Sequence, residues 1–300
     1  MAEACIRSIN LNFQEVSNVK KSILAKPVLS CTLVFLICCL ARIAEYFWIR
    51  TDETILAENF IHKVFGIFIL TAILVLAKLS WSSIGFTKTK IVQNVFKGLA
   101  LGAACFSVAY LAECILLYFM NGNVQLSVYT SGFSLNGEAV KQSGLGFIVL
   151  CISFNLINVW MEEGIFRGLF SRLLSDKLSF TGNVLFSALL FGVWHWVMPM
   201  RDFIEGNSSI GNLLVMGIGY IILSGIMSIK WSILYKMTGS LWMGLGDHLF
   251  NNVVVTNLLH VISNGEADSM QIVRILIGQL ISFALVMVYY KNHSHSAPQI

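Results

Sequence analysis

Two adjacent carboxylates and an arginine, in the run Glu162-Glu163-Gly164-Ile165-Phe166-Arg167, lie at the end of a long apolar stretch that begins at Gly146. Ionisable groups at membrane depth are expensive and mark functional sites by default. On a helix, Glu163 and Arg167 are i,i+4 neighbours and can neutralise each other. Glu162 projects about 100° away from Glu163 and about 140° from Arg167, which leaves it without a local partner. Asn155 and Asn158 precede it at spacings that put all three side chains on one face. Two other apolar stretches are interrupted in the same way, by Phe191-Gly192-Val193-Trp194-His195-Trp196 and by Gly246-Asp247-His248-Leu249-Phe250-Asn251-Asn252. A carboxylate facing an imidazole is an acid/base pair. A second imidazole, His248, has an amide, Asn252, four residues on and on the same helix face. Singly, each group reads as a satisfied polar side chain in a helix bundle, with Glu163 and Arg167 as a structural ion pair. As a set they point to chemistry, because each adds to the cost of burial in lipid.

The elements that must position these groups are membrane spans. Of the 300 residues 56% are hydrophobic and 12% charged, about half the charged share of a soluble domain. Apolar windows of about 20 residues, enough to cross hydrocarbon, cover Val28–Trp48, Ile61–Leu79, Val95–Met120, Gly146–Leu174, Thr181–Val197, Gly211–Ile229, Leu241–Leu259 and Ile272–Tyr290. The expected fold is an all-α polytopic membrane protein, a bundle of about eight transmembrane helices with a polar intramembrane cavity open to the cytosol. The fourth span is too long for a simple crossing and should project into the cytosol.

With a cytoplasmic N-terminus, Lys and Arg concentrate on the inside, at Lys20, Lys21, Lys88, Lys90, Lys177, Lys230 and Lys236 among others. The positive-inside rule then puts both termini in the cytoplasm. The net charge of +4 follows from this topology, and no basic, aromatic-interleaved tract suggests nucleic acid as a partner. The first apolar run begins too late and runs too long for a cleaved signal peptide. The seven cysteines form no CxxC pair and read as packing residues. Residues 1–27 read as a cytosolic amphipathic segment on the membrane surface, 28–290 as a single bundle with its motif region at 146–255, and 291–300 as a cytosolic tail. Arg42 and Glu45 are expected to pair at i,i+3. Glu113 is expected to hydrogen-bond within the packing near Tyr110. The Asn121–Ser143 loop is expected outside, partly ordered over the bundle.

Spans four and five form an antiparallel hairpin turning within Leu174–Thr181, and Glu162 and His195 are equidistant from that turn. Each lies roughly 20 Å above it at 1.5 Å per residue. His248 and Asn252 project from one face of the seventh span, roughly 12 and 18 Å above Ser240. All four can converge in a cavity facing the cytosol.

These motifs resemble the CPBP intramembrane proteases, the group containing the type II CAAX prenyl endopeptidases and bacterial abortive-infection and bacteriocin-immunity relatives. The family pattern EExxxR, FxxxH and HxxxN matches Glu162-Glu163-xxx-Arg167, Phe191-xxx-His195 and His248-xxx-Asn252, in order, over roughly residues 146–255. The resemblance implies peptide-bond hydrolysis in a membrane cavity. Glu162 would be the general base for a water held or polarised by His195. His248 and Asn252 would stabilise the oxyanion. Glu163 and Arg167 would form a supporting ion pair, with Phe191 packed behind the site. Glu162, His195 and His248 could also hold a single Zn and leave a position for water. The absence of an HExxH helix favours a site with no metal. The implied partners are the lipid bilayer and, as substrate, a prenylated CaaX-type protein C-terminus or another membrane peptide.

Other classes fit less well. Gly244-Leu245-Gly246-Asp247 matches the GxGD pattern of intramembrane aspartyl proteases, but that chemistry needs a second aspartate in a span. Asp52, Asp176, Asp202 and Asp268 all fall in loops, so the match reads as coincidence. A non-catalytic scaffold or immunity protein would use the polar cluster for packing alone. A proton-coupled transporter could use Glu162 and His195 as a relay, but the chain shows no internal repeat and has few prolines.

Overall fold

A computed structural model describes residues 23–54, 58–131 and 144–293. Most of the expected N-terminal amphipathic segment, and the chain after residue 293, lie outside the described residues. In chain order the helices are α1 Pro27–Ala44, α2 Ile61–Ala77, α3 Ile91–Asn121, α4 Leu145–Glu162, α5 Phe170–Leu174, α6 Phe180–Trp194, α7 Val197–Ile204, α8 Ile210–Thr238, α9 Trp242–Phe250 and α10 Gln271–His293. Among the described residues three strands, β1 Gln125–Val128, β2 Leu259–Ser263 and β3 Glu266–Ala267, form one antiparallel sheet in the order β1-β2-β3.

Local sequence accounts for the helix ends. Pro27 opens α1, where its missing N–H is no loss. The Ser179 and Ser209 hydroxyls accept from the Gly182 and Asn212 amides and cap α6 and α8. Gly122 and Gly239, both left-handed, close α3 and α8.

Among the described residues, six helical stretches are long and apolar enough to cross a membrane: Pro27–Glu53, Ile91–Met120, Leu145–Leu174, Phe180–Ile204, Ile210–Thr238 and Gln271–His293. Their outward faces carry exposed Leu33, Phe119, Val215 and Leu285, as lipid-facing surfaces do. The chain is an all-helical polytopic membrane protein apart from the small sheet. Two expected spans take another form. Ile61–Ala77 is a shorter apolar helix. In the seventh, α9 passes into a π-helix, Asn251–Leu258, and then directly into β2. The loop expected to be partly ordered supplies β1, whose Gln125–Val128 pair with Ile262–Leu259.

π-Helical turns recur where α4 meets α5, over Glu163–Leu169, and after α1, over Glu45–Ile49. Helix α9 is pressed into the bundle by a close glycine crossing. A β-carbon on Gly98 would lie 2.1 Å from the Met243 carbonyl, and one on Gly246 would lie 2.3 Å from that of Val95. Backbones approach this closely only where both side chains are absent. Gly246 of the GxGD match therefore has a packing role.

Several ionisable residues pair differently from expectation. Arg42 does not meet Glu45. Its guanidinium stacks over Trp194 at 4.4 Å and donates to the Tyr46 hydroxyl at 3.5 Å. Glu45 instead accepts from the His62 ring and amide, each at 2.6 Å, and from the Ile61 amide at 2.9 Å. The i,i+3 pair loses because the backbone turns π at Glu45 and aims its carboxylate at the start of α2. Glu113 does hydrogen-bond within the packing near Tyr110, and its partner is Arg274, at 2.7 Å and stacked over the Tyr110 ring. Lys230, expected among cytosolic charges beyond the sixth span, lies within α8, fully buried, 2.5 Å from Asp247. Helix α8 runs on past Ile229 to Thr238 because a buried carboxylate receives that ammonium.

Candidate active site

The site is assembled where α4, its π turn, α6 and α9 meet. Glu162 closes α4 and Glu163 opens the π turn, and both are buried, with 2% and 1% of their surface exposed. Arg167, on the same turn, grips Glu163 with two N–H groups: Nε lies 3.0 Å from Oε2, and an Nη2–Oε1 bond completes the fork. Its guanidinium packs against the Phe191 ring at 4.2 Å and the Trp231 ring at 4.9 Å, the two rings being edge-to-face with each other. The rings desolvate the cation and lock its plane, so the fork holds Glu163 in one rotamer.

Helix α6 and its C-cap carry Phe191, Trp194 and His195 at i, i+3 and i+4, on one face. The Trp194 indole donates to Glu162 Oε1 at 2.8 Å. The His195 Nδ1 faces the Phe191 carbonyl at 2.8 Å. A carbonyl only accepts, so Nδ1 carries the proton, and a neutral ring presents Nε2 as an acceptor. His195 is partly exposed and interacts electrostatically with Glu162.

From α9, His248 reaches both carboxylates, with Nδ1 2.9 Å from Glu163 Oε1 and Nε2 3.5 Å from Glu162 Oε2. The ring lies flat on Trp231, centroids 3.9 Å apart and planes 15° from parallel. Phe191 touches both histidine rings edge-on, at 4.8 Å for His195 and 6.3 Å for His248.

Six of the seven expected residues thus share one contiguous cluster: Glu162, Glu163, Arg167, Phe191, His195 and His248. Asn252 sits one turn further along, in the π-helix, where its side chain accepts from Asn251 Nδ2 at 3.1 Å. Asn155 on α4 is buried and spends its amide on the Cys151 carbonyl at 2.9 Å.

Sequence reasoning misses three residues. Trp194 is the direct donor to Glu162, and its i+3 spacing from Phe191 beside His195 was the available signal. Trp231 is the floor under His248, and Arg42 is a buried cation stacked on Trp194. Both come from helices that carry none of the matched motifs, so local spacing gave no sign of them.

The donor set for a metal was Glu162, His195 and His248. Among the described residues, no group of three His, Cys, Asp or Glu side chains is gathered so as to hold a metal ion. His248 turns its Nδ1 to Glu163 and its Nε2 toward Glu162. The arrangement can activate a water, orient it and offer donors to an oxyanion, among aromatic rings.

No curated relative matches the chain. Residues 144–254 match the family model described as Type II CAAX prenyl endopeptidase Rce1-like, a segment that holds every motif residue above. This match supports, over that segment, the resemblance to the CPBP family that the motifs carry.

Proposed function

We propose that the protein is an intramembrane endopeptidase that hydrolyses a peptide bond with a water activated by Glu162. The observation that carries this reading is the Glu162 carboxylate itself. It is buried, gripped on one oxygen by Trp194 and faced on the other by His248, within the matched segment. Burial at such cost suits a working group better than a packing one.

In the proposed reaction His195 Nε2 accepts a hydrogen bond from the attacking water, and Glu162 takes the water's proton. The water oxygen bonds to the scissile carbonyl carbon, and its carbonyl oxygen becomes an oxyanion. Asn252 and the Nε2–H of His248, its ring carrying both protons between the Glu162 and Glu163 carboxylates, stabilise that charge, and preorganised donors act most strongly where water is excluded. Collapse breaks the C–N bond, and Glu162 returns its proton to the leaving amine. Glu163 and Arg167 touch no reacting atom and hold the His248 ring. The substrate we assign is a prenylated CaaX-type tail or another membrane peptide. Both termini would face the cytoplasm, with 28–290 as one bundle between the N-terminal segment and the tail.

The test is hydrolysis of a quenched prenylated CaaX peptide by detergent-purified protein. Wild type should cleave, and Glu162→Gln should lose at least about 100-fold while keeping its melting profile. A folded Glu162→Gln with wild-type activity would overturn the reading. Activity lost to chelator and restored by zinc would show a metal-dependent site instead.

A further inference from the structure

Outside the site, α8, α9 and α10 share a buried polar chain that the proposed reaction does not use. Lys230 on α8, Gln279 and Ser282 on α10, and Asp247 on α9 are each at most 1% exposed. The Lys230 ammonium spends its three donors on Asp247 Oδ2 at 2.5 Å, Gln279 Oε1 at 2.7 Å and Ser282 Oγ at 3.0 Å. From there the chain divides. On one side Asp247 Oδ2 accepts from the Trp231 indole at 2.8 Å, and Trp231 is the ring on which His248 lies. On the other side Gln279 Nε2 donates to Asn251 Oδ1 at 3.0 Å, and Asn251 Nδ2 donates to Asn252 Oδ1 at 3.1 Å.

We infer that Lys230, Asp247 and Gln279 form a positioning network that fixes both the His248 ring and the Asn252 amide as donors for the reaction. The inference rests on the protease reading above and adds to it residues from α8 and α10, with Gln279 lying beyond the matched segment.

The direction of each bond supports this role. A side-chain amide is symmetric enough to flip, and only its partners decide which end faces the site. Lys230 has no acceptor and so pins the Gln279 oxygen. That forces the Gln279 NH2 onto the Asn251 oxygen, which in turn leaves the Asn251 NH2 to face the Asn252 oxygen. The Asn252 NH2 is thereby turned away from Asn251 and free to donate elsewhere. One buried ammonium sets the sense of three amides in series. Its counter-ion, through the Trp231 indole, sets the plane of the imidazole. The neutral alternative, apolar packing in the same volume, would leave Asn251 and Asn252 free to flip.

Gln279→Glu separates positioning from packing. The glutamate can still accept from Lys230, so the buried ammonium keeps its partner. It cannot donate to Asn251, so the amide series loses its direction. With purified full-length protein and the prenylated peptide, we expect kcat to fall about tenfold or more, since small misplacements of catalytic groups have effects of that size. KM should stay within about twofold, with the melting temperature no lower than wild type. Gln279→Met, close in size and uncharged, reads the same loss if the added carboxylate prevents folding. Wild-type kcat in a folded variant, or a kcat loss matched by an equal loss of melting temperature, overturns the positioning role. If wild type does not cleave, or Glu162→Gln cleaves as well as wild type, the protease reading fails and the network's role falls with it. If Glu162→Gln is dead while both Gln279 variants are fully active, only the network's role is overturned.

Discussion

Replacing Arg167 by methionine should be among the most damaging single changes in the protein, and undoing part of it should take only one further substitution. Both partners of the Arg167–Glu163 pair are almost fully buried, at 0% and 1% side-chain exposure, so solvent does not screen them. Arg167→Met keeps an apolar chain between Phe191 and Trp231 but leaves Glu163 with only the His248 Nδ1 bond. Removing one member of a buried pair costs about 3–5 kcal/mol, because the other charge is left uncompensated. Removing both charges is close to neutral in many proteins. Glu163→Gln/Arg167→Met should therefore recover at least about 2 kcal/mol relative to Arg167→Met alone, a coupling typical of directly contacting groups. The amide oxygen that Glu163→Gln introduces can still accept from His248. Unfolding free energies measured by denaturant titration in one detergent for wild type, both single variants and the double variant complete the cycle. An Arg167→Met cost below about 1 kcal/mol, or a double variant as unstable as the sum of the singles, would refute the buried-pair reasoning.

Trp194→Phe removes the indole N–H but retains a ring to stack against Arg42 and Phe166. A hydrogen bond to a charged group is worth about 1.5–3 kcal/mol, so kcat/KM for the prenylated peptide should fall about 10- to 100-fold. An unchanged kcat/KM would show that Trp194 does not hold Glu162 for catalysis. At the β2–β3 end, burial opposes ionisation of Asp268, yet hydrogen bonds from His260, Arg274 and the Val261 amide hold its carboxyl below the ordinary range. A depressed native value means that Asp268 contributes stability above its unfolded pKa and loses it as pH falls through the lower folded value. The melting temperature of wild type should therefore drop on acidification below about pH 4. Asp268→Asn should melt lower at neutral pH and show a shallower acid decline. Parallel acid curves for the two proteins would rule out this contribution.

The motif residues were legible because each sits in an apolar run where a polar side chain stands out, and because antiparallel spans turn sequence distance into depth. Glu162 and His195 flank one short turn, and that was enough to place them together. Partners drawn from distant helices were not legible. Lys230 reads from sequence as a charge just past a span, since nothing near it announces Asp247 on the next helix. Arg274 likewise gives no sign of Glu113, which lies far earlier in the chain. Sequence spacing sees i,i+3 and i,i+4 neighbours, so it offered Arg42–Glu45, where the fold preferred Trp194 for one and His62 for the other.

The π turns explain why simple helical spacing succeeds at one motif and falls short at another. Glu163 and Arg167 stay paired across the turn at Glu163–Leu169, because a long arginine tolerates a change in pitch. His248 and Asn252 straddle the passage from α9 into the π-helix at Asn251, so the i,i+4 face that seemed to align them is rotated between them. A π segment widens a helix and re-aims side chains, and such segments cluster at functional sites. What a regular helix would have aligned by pitch is instead left to side-chain bonds. That is the position in which Asn252 stands, reached from Lys230 through Gln279 and Asn251. On this view the buried ammonium compensates for the irregular helix, and removing the direction it imposes should affect turnover more than folding.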